Sequence, residues 1–472
     1  MTERIPKIVY VAAIVLGPLV LIYFAYSQPG YFTSLTYLGG LLLLEFLALA
    51  VWWYRQVFFP LIIVAFLLAG VDLPVGAFWT QARWLFLFVG AAAGAVLMLR
   101  ERSHPFGLFH IMATFAALAT LVSAAVSQYP SVALLKSVSF MLLFLYAGTG
   151  ARLAVTGREN RFFTGLLNGC EAFVGAIAVS YAVGVEAMGN PNSLGAVMGV
   201  VGAPILLWGA FLDETSFVRG RRLAVYAICM YLVFHSHSRA GLAAASVSSG
   251  LLCFALRKYW SVLKGLGVIV IVVAAAAIVQ PEALSNAVSS LTSAVIYKGG
   301  RDASVLASRE SPWRSAVDSI HNHFWFGTGL GTTENLKDPT EHLAMFSSST
   351  EVSTENGSSY LSIVVGVGVI GALPFTLLLL LLLRKMFRTF AWLVKTRNPC
   401  HPAVPLAMVM LAGMIHAGFE DWLFAPGYYV CVLFWSLAFI LVDVAPSTAP
   451  RHALAWRFRA MRRGLGGVAP SR

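Results

Sequence analysis

"ALPFTLLLLLLL" at residues 372–383 is an apolar run without a charged residue, and "LGGLLLLEFLALAVWW" at 38–53 is a second run with one glutamate. A helix that crosses a bilayer needs about 20 mainly apolar residues, and these runs approach that length. The chain has 472 residues, of which 58% are hydrophobic and 11% charged. Its mean hydropathy is +0.77. The sequence therefore predicts an all-α polytopic membrane protein with about 12–14 transmembrane helices.

Lysine and arginine are concentrated in every second connection between the predicted spans. The basic connections begin with Arg4 and Lys7, and they include Arg55, Arg100, Arg152, Arg221, Arg257, Arg384 and the tail after Pro450. Basic connections stay in the cytoplasm, so both termini are predicted there and the number of spans must be even. The net charge of +12 is explained by this topology, and nucleic acid is not predicted as a partner.

The unusual polar stretches fall on the opposite, extracytoplasmic side. They are "GNPNSLG" at 189–195, "HSHSR" at 235–239, the connection 281–357 and "FEDW" at 419–422. Polar segments that converge on one side predict a single site there. The connection 281–357 exceeds the length of an ordinary loop, and loops of this kind usually carry function.

These patterns divide the chain into four parts. They are an N-terminal transmembrane bundle (1–280), a periplasmic loop with short amphipathic helices (281–357), C-terminal transmembrane helices (358–443) and a basic cytoplasmic tail (444–472). Within the loop, residues 308–320 are predicted to form a helix. Ser308 or Ser311 is expected to cap it, with a proline in its first turn.

Five arginines are predicted on the side that disfavours them, so each requires an explanation. They are Arg83, Arg239, Arg301, Arg309 and Arg314. One explanation is an ion pair with Asp302, Glu310, Glu420 or Asp421, and another is contact with phospholipid headgroups. A third is phosphate binding, because the arginine fork donates two charge-assisted hydrogen bonds and stays protonated. Two or three such arginines can neutralise a diphosphate leaving group.

No metal-binding motif accompanies these arginines, and no cofactor is predicted. The histidines at 235, 237, 321, 323 and 342 form only a weak zinc signal. "FGTGLG" at 326–331 lacks the flanking strand of a nucleotide-binding turn, so its glycines are interpreted as a tight turn towards the membrane.

Three charged residues near or inside the spans allow two interpretations each. Glu355 is either a carboxylate at a helix N-terminus or a base that accepts a proton from a sugar hydroxyl. Lys136 and Glu171 lie in predicted spans, where charged residues are often functional. They are alternatively expected to pair with each other.

The order of the motifs resembles the O-antigen ligase and Wzy-type polymerase superfamily. The resemblance covers about residues 185–440 and includes "SHSRAG", "SRESPWRSAVDSI", "ENGSSYLSIVVGVGVIG" and "HAGFEDWLF". It implies a GT-C-like bundle with one large periplasmic loop, in a bacterial inner membrane. It also implies a metal-independent, inverting glycosyltransferase that uses a glycan on undecaprenyl diphosphate.

Site residues follow from the resemblance. Arg239 and Arg309, the latter with Trp313, match the residues that hold the lipid diphosphate. Arg301 and Arg314 are weaker candidates for the same role, and Asn192 and Glu420 are expected to contact diphosphate or glycan.

One departure from the ligase pattern concerns the acceptor. Ligases carry a histidine where this chain has Glu355 before Asn356, which favours a polysaccharide polymerase of O-antigen or exopolysaccharide type, with a glycan acceptor and Glu355 as base. His342 can substitute for that histidine, so a ligase that transfers to lipid A-core remains an alternative. A transporter of lipid-linked oligosaccharides is a further alternative, but no two-half repeat is visible.

Overall fold

The computed structural model describes residues 54–71, 76–101, 106–212, 215–259, 307–332 and 356–446, with Leu19, Tyr23, Tyr26, Ser27 and Gly30. The chain forms two units, Met1–Phe58 and Phe59–Arg472. In the first unit, the ring centroids of Tyr54 and Phe58 lie 4.7 Å apart.

The described residues are helical wherever they form regular structure. The helices are α1 Tyr54–Ala69, α2 Gly76–Glu101, α3 Leu108–Val126, α4 Pro130–Val155, α5 Glu159–Ala182, α6 Pro191–Leu212, α7 Ser216–His235, α8 Arg239–Ala255, α9 Ala307–Asn322, α10 Ser359–Thr396, α11 Ala403–Ala417 and α12 Tyr429–Val444. Short π-helical turns interrupt α4 and α6.

Six of these helices are long and apolar enough to span a bilayer, counting only the described part of the chain. They are α3, α4, α5, α6, α10 and the part of α2 from Phe78. The all-helical, multi-pass class is therefore confirmed. The apolar run 372–383 lies inside α10, which continues to Thr396 because the arginines and lysines beyond Leu383 are good helix formers.

Two helices form the interior of the bundle. α6 is almost wholly buried, and α12 is buried from Tyr429 to Leu441. Around them, α3 packs on α4 and α10, and α8 packs on α11. Aromatic rings fill the centre: Trp435 lies edge-on to Phe144 with centroids 4.9 Å apart. Large rings of this kind contribute much of the buried apolar area.

Small residues bring α6 and α8 into backbone contact. A Cβ atom on Gly199 would lie 2.5 Å from the carbonyl oxygen of Gly241, and one on Gly195 would lie 2.2 Å from the Cβ of Ser238. Glycine at these positions therefore permits the close approach. The packing fixes the beginning of α8, where Arg239 is the first residue.

The two ends of the bundle differ in their polar contacts. We call the end at which α6, α8, α10 and α12 begin the site end, and the opposite end the basic end. At the basic end, Arg152 forms a bidentate ion pair with Asp443, and Glu171 pairs with Arg221 and Arg222.

The predicted pairing of Lys136 with Glu171 is therefore wrong. Glu171 lies near the basic end, where two arginines of α7 neutralise it. Lys136 lies near the site end, where its Nζ donates a hydrogen bond to the carbonyl oxygen of Gly331 at 2.8 Å. Both residues belong to the predicted spans but to opposite ends of the bundle.

Candidate functional site

The helix predicted from the loop sequence is present as α9. It begins at Ala307, so Ser311 and Pro312 lie inside it rather than in a cap or a first turn. Ser308 also lies inside the helix, so the predicted capping by Ser308 or Ser311 is wrong. The earlier start places Arg309 in the first turn, on the same helix as Trp313.

Arg309 forms an ion pair with Glu420, which lies in the turn between α11 and α12. The exposed fractions of the two side chains are only 14% and 13%. Removing one partner of such a buried pair would leave the other charge without compensation. At an exposed pair, water would compensate the remaining charge. The pair therefore holds a cation at a defined position at the site end.

Trp313 fixes α9 to the residues that precede α10. Its indole Nε1 donates a hydrogen bond to the carbonyl oxygen of Gly357 at 3.2 Å. Gly357 has φ of 68°, and a Cβ there would approach the Trp313 ring to 3.2 Å and the Cδ of Arg309 to 3.3 Å. Glycine is thus required both by conformation and by space.

The turn that carries Glu420 is tied to the first residue of α10. The Ser359 hydroxyl donates to the Glu420 carbonyl oxygen at 2.7 Å. The same hydroxyl accepts hydrogen bonds from the backbone N–H groups of Trp422 and Leu423, each at 3.0 Å. One serine thereby organises the "FEDW" turn, which the sequence marked only as polar.

His416 and Trp422 are two site-end residues that the sequence analysis missed. The Trp422 Nε1–H donates to His416 Nδ1 at 2.8 Å, so the neutral imidazole carries its proton on Nε2. That Nε2 is buried and has no hydrogen-bond partner among the described residues. Both residues lie within "HAGFEDW", and the histidine in an apolar run was the available signal.

The "GNPNSLG" and "HSHSR" stretches meet at the beginnings of α6 and α8. The Asn190 side chain accepts a hydrogen bond from the Asn192 N–H at 2.8 Å and caps α6. Ser238 caps α8 by accepting from the Gly241 N–H at 3.2 Å. Caps of this kind satisfy helix donors that otherwise lack partners. Asn192 and Arg239 are half-buried at adjoining helix ends.

Two tyrosines at the beginning of α12 adjoin the cap of α6. The Tyr428 hydroxyl donates to that of Tyr429 at 3.3 Å, and the Tyr429 hydroxyl donates to the Ser193 carbonyl oxygen at 3.3 Å. The polar stretches from four separate parts of the sequence therefore lie at the same end of the bundle, the site end. Sequence reasoning missed the tyrosines because they lie inside an apolar stretch.

Comparison with known families adds to this geometry. Residues 224–376 match the family described as O-Antigen ligase. The chain contains a domain of the O-antigen ligase-related superfamily. The match includes Arg239, Arg309 and Trp313, and it ends before the "FEDW" turn. No curated protein matches the chain. This match supports a membrane enzyme that transfers glycosyl groups.

Other predicted site residues have no contact with the polar residues at the site end among the contacts described above, or lie outside the described residues. Arg314 pairs with Glu310 one turn away on α9, and both side chains are exposed. The rings of His235 and His237 are nearly parallel, with centroids 6.4 Å apart. Groups of three or more potential metal-binding side chains do not occur among the described residues. Arg301, His342 and Glu355 lie outside the described residues.

Proposed function

We propose that the protein is an inverting glycosyltransferase that moves a glycan from undecaprenyl diphosphate onto a saccharide acceptor at the periplasmic face of a bacterial inner membrane. The observation that carries this proposal is the ion pair of Arg309 with Glu420 at the site end. It holds an arginine away from bulk water, beside a half-buried region of polar groups. An arginine held in this way is suited to a diphosphate.

The reaction has one bond-making and one bond-breaking event. The acceptor hydroxyl oxygen bonds to the anomeric carbon of the donor, and the bond from that carbon to the diphosphate oxygen breaks. Attack from the face opposite the leaving group inverts the anomeric configuration. Arg239 and Arg309 stabilise the negative charge on the departing diphosphate, which is where charge develops. The arginines provide this charge without a metal ion.

Glu355 is proposed as the base that takes the proton of the acceptor hydroxyl. It is two residues from Gly357 in the sequence, and Gly357 adjoins both Trp313 and Arg309. The proposed base and the proposed diphosphate-binding residue are thus linked by a short piece of chain. Asn192, Glu420, Trp313 and, more weakly, Arg301, Arg314 and His342 complete the proposed binding site.

Two acceptors are compatible with this chemistry. The sequence Glu355-Asn356 favours polymerisation, in which a second lipid-linked glycan is the acceptor. The description of the matched family favours ligation, in which lipid A-core is the acceptor. Both reactions use the same donor and the same leaving group, so the acceptor alone distinguishes them.

Reconstitution tests the proposal and separates its alternatives. The purified protein in liposomes receives an undecaprenyl-diphosphate saccharide, alone or with lipid A-core. Lengthened lipid-linked chains identify a polymerase, and glycosylated lipid A-core identifies a ligase. Translocation of the donor without any new glycosidic bond would identify a transporter and contradict the proposal.

Arginine variants test the leaving-group assignment. Arg309→Ala is expected to reduce the transfer rate by about 10²–10³-fold, the usual effect of losing one charge-stabilising donor. Arg384→Ala is the matched control, because Arg384 is exposed near the basic end and should leave transfer unchanged. Equal activity of the Arg239→Ala, Arg309→Ala double variant and the unmodified protein would overturn the assignment.

A further inference from the structure

Three consecutive aromatic residues follow α9 and are exposed. Phe324, Trp325 and Phe326, here called the aromatic triplet, have exposed fractions of 44%, 60% and 45%. Single exposed apolar side chains are common, but a contiguous patch of large ones indicates an interaction surface. The triplet plays no part in the proposed glycosyl transfer.

The backbone of the triplet is bonded directly to α10. The Val369 N–H donates to the Phe324 carbonyl oxygen at 2.9 Å, and the Ile370 N–H donates to that of Trp325 at 3.4 Å. These bonds form where α10 is broken at Gly368, which has φ of 69° and ψ of 178°. A Cβ on Gly368 would lie 2.4 Å from backbone atoms of Trp325 and Phe326. The triplet is therefore fixed to a membrane span.

The position of this contact along α10 places it within the bilayer. No charged residue occurs from Ser359 to Leu383, and Arg384 marks the basic end of the apolar segment. Ile370 precedes Arg384 by fourteen residues, which is about 21 Å at 1.5 Å per residue. The hydrocarbon core is about 30 Å thick. The contact with the triplet thus lies within the hydrocarbon region, about 9 Å from its boundary at the site end.

Backbone that leaves a helix at this depth must have its hydrogen bonds satisfied by protein. The segment after the triplet meets this requirement. The N–H groups of Gly327, Thr328 and Gly329 donate to the carbonyl oxygens of His323, Val365 and Gly366. These three N–H groups are thereby satisfied by protein, while the three aromatic side chains are exposed.

The triplet adjoins the lipid-facing surface of two spans. Two apolar residues of α10, Ile370 and Leu373, are exposed. Two apolar residues of α3, Leu118 and Val122, are also exposed. α3 and α10 pack together, and the Ser123 hydroxyl is bonded to the Gly366 carbonyl oxygen. Exposed apolar faces of spans are covered by lipid, and aromatic side chains are enriched at the membrane interface.

We propose that the aromatic triplet is a membrane anchor that inserts into the leaflet at the site end and binds the acyl chains of its lipids. It makes part of the loop a re-entrant element. The anchor holds the end of α9 at the membrane, so that the helix carrying Arg309 stays at headgroup level. This inference is independent of the reaction that the protein performs.

Quenching of tryptophan fluorescence in lipid nanodiscs tests the anchor. The emission of Trp325 is obtained by subtracting the spectrum of Trp325→Phe from that of the unmodified protein. We expect phosphatidylcholine brominated near the carbonyl end of its chains to reduce this difference emission by at least about half. Aqueous acrylamide should have little effect. The matched control is Trp313→Phe, whose difference emission should be insensitive to brominated lipid because its indole is bonded to Gly357.

Three results would overturn the proposal. Difference emission quenched by acrylamide and not by brominated lipid would place the triplet in water. Emission insensitive to both quenchers would mean that protein covers it. Lipid quenching relieved by added polyprenyl diphosphate would make it a donor-binding surface instead. If Trp325→Phe does not fold, Trp325→Cys labelled with an environment-sensitive fluorophore gives the same comparison.

Discussion

Arg309 in the first turn of α9 is bonded to Glu420 in the turn before α12, across 111 residues of sequence. The pair joins the loop helix to the membrane bundle, and the same turn is held by Ser359 at the start of α10. Loop, turn and span are thus positioned together. We propose that the positive charge of Arg309 stabilises the leaving group. The position of that charge therefore depends on the carboxylate of Glu420.

The first prediction concerns this dependence. Glu420→Gln removes the compensating charge and leaves Arg309 less restrained, so glycosyl transfer should fall by about tenfold. The transfer rate of Arg309→Lys should fall further, because a lysine cannot form a bidentate contact with the diphosphate. The rates of Arg309→Ala, Glu420→Ala and the double variant form a cycle. Effects that simply add would show that the pair does not act as a unit.

The second prediction concerns Trp422 and His416. Trp422→Phe keeps the ring volume but removes the donor to the buried Nδ1 of His416. An unsatisfied buried acceptor costs about 1–3 kcal/mol, so the melting temperature in detergent should fall. Trp325→Phe, which removes an exposed indole, is the control for losing a tryptophan. An unchanged melting temperature in Trp422→Phe would contradict the assigned hydrogen bond.

The spans were predictable because hydropathy records burial in lipid. The charge-free run 372–383, for example, lies wholly inside α10, Ser359–Thr396. Local pattern was sufficient wherever a helix is defined by its own composition.

The site was predictable only in part because its contacts join distant segments. The arginines could be identified because arginine is disfavoured on the extracytoplasmic side of the membrane. Their contact partners could not be identified in this way. Tyr428 and His416 lie within apolar runs of the sequence. The spacing of residues does not show which polar side chains are in contact. The kink at Gly368 was missed for the same reason: the segment that fills it, Trp325–Gly329, comes from another part of the chain.

The third prediction follows from that kink. Gly368→Ala forces a residue with a Cβ into a positive φ and against backbone atoms 2.4 Å away, so the pairing with Phe324 and Trp325 must break. The strain alone costs about 1–3 kcal/mol. Limited proteolysis after residue 323 should become faster and the melting temperature should fall. Gly250→Ala, in α8 with open space around it, should be neutral or slightly stabilising.

The fourth prediction concerns pH. Burial lowers the pKa of His401 to about 4, and its Nδ1 accepts a hydrogen bond from the Ala403 N–H. The folded pKa lies below the unfolded value of about 6.5. Protonation therefore favours unfolding, and stability present above pH 6.5 is lost as the pH falls towards 4. His401→Gln should reduce the slope of melting temperature against pH in this window. The exposed His321→Gln variant should retain the slope, and an unchanged slope in both would contradict the assignment.

The fifth prediction concerns the ion pair at the basic end. The Arg152 side chain is fully buried, whereas that of Asp443 is 25% exposed, and the two are joined by bonds of 2.6 and 2.9 Å. Asp443→Asn leaves the arginine charge uncompensated, which costs about 3 kcal/mol, at the lower end for buried pairs because water reaches the acid.

Removing both charges separates pairing from packing. The Arg152→Met, Asp443→Asn double variant has no buried charge to compensate, so it should melt above the Asp443→Asn single variant despite carrying one more substitution. Glycosyl transfer at the opposite end should be unaffected in molecules that remain folded. A double variant that melts below both single variants would mean that Arg152 stabilises the fold mainly through its contacts with Gly148 and Phe106, and not through Asp443.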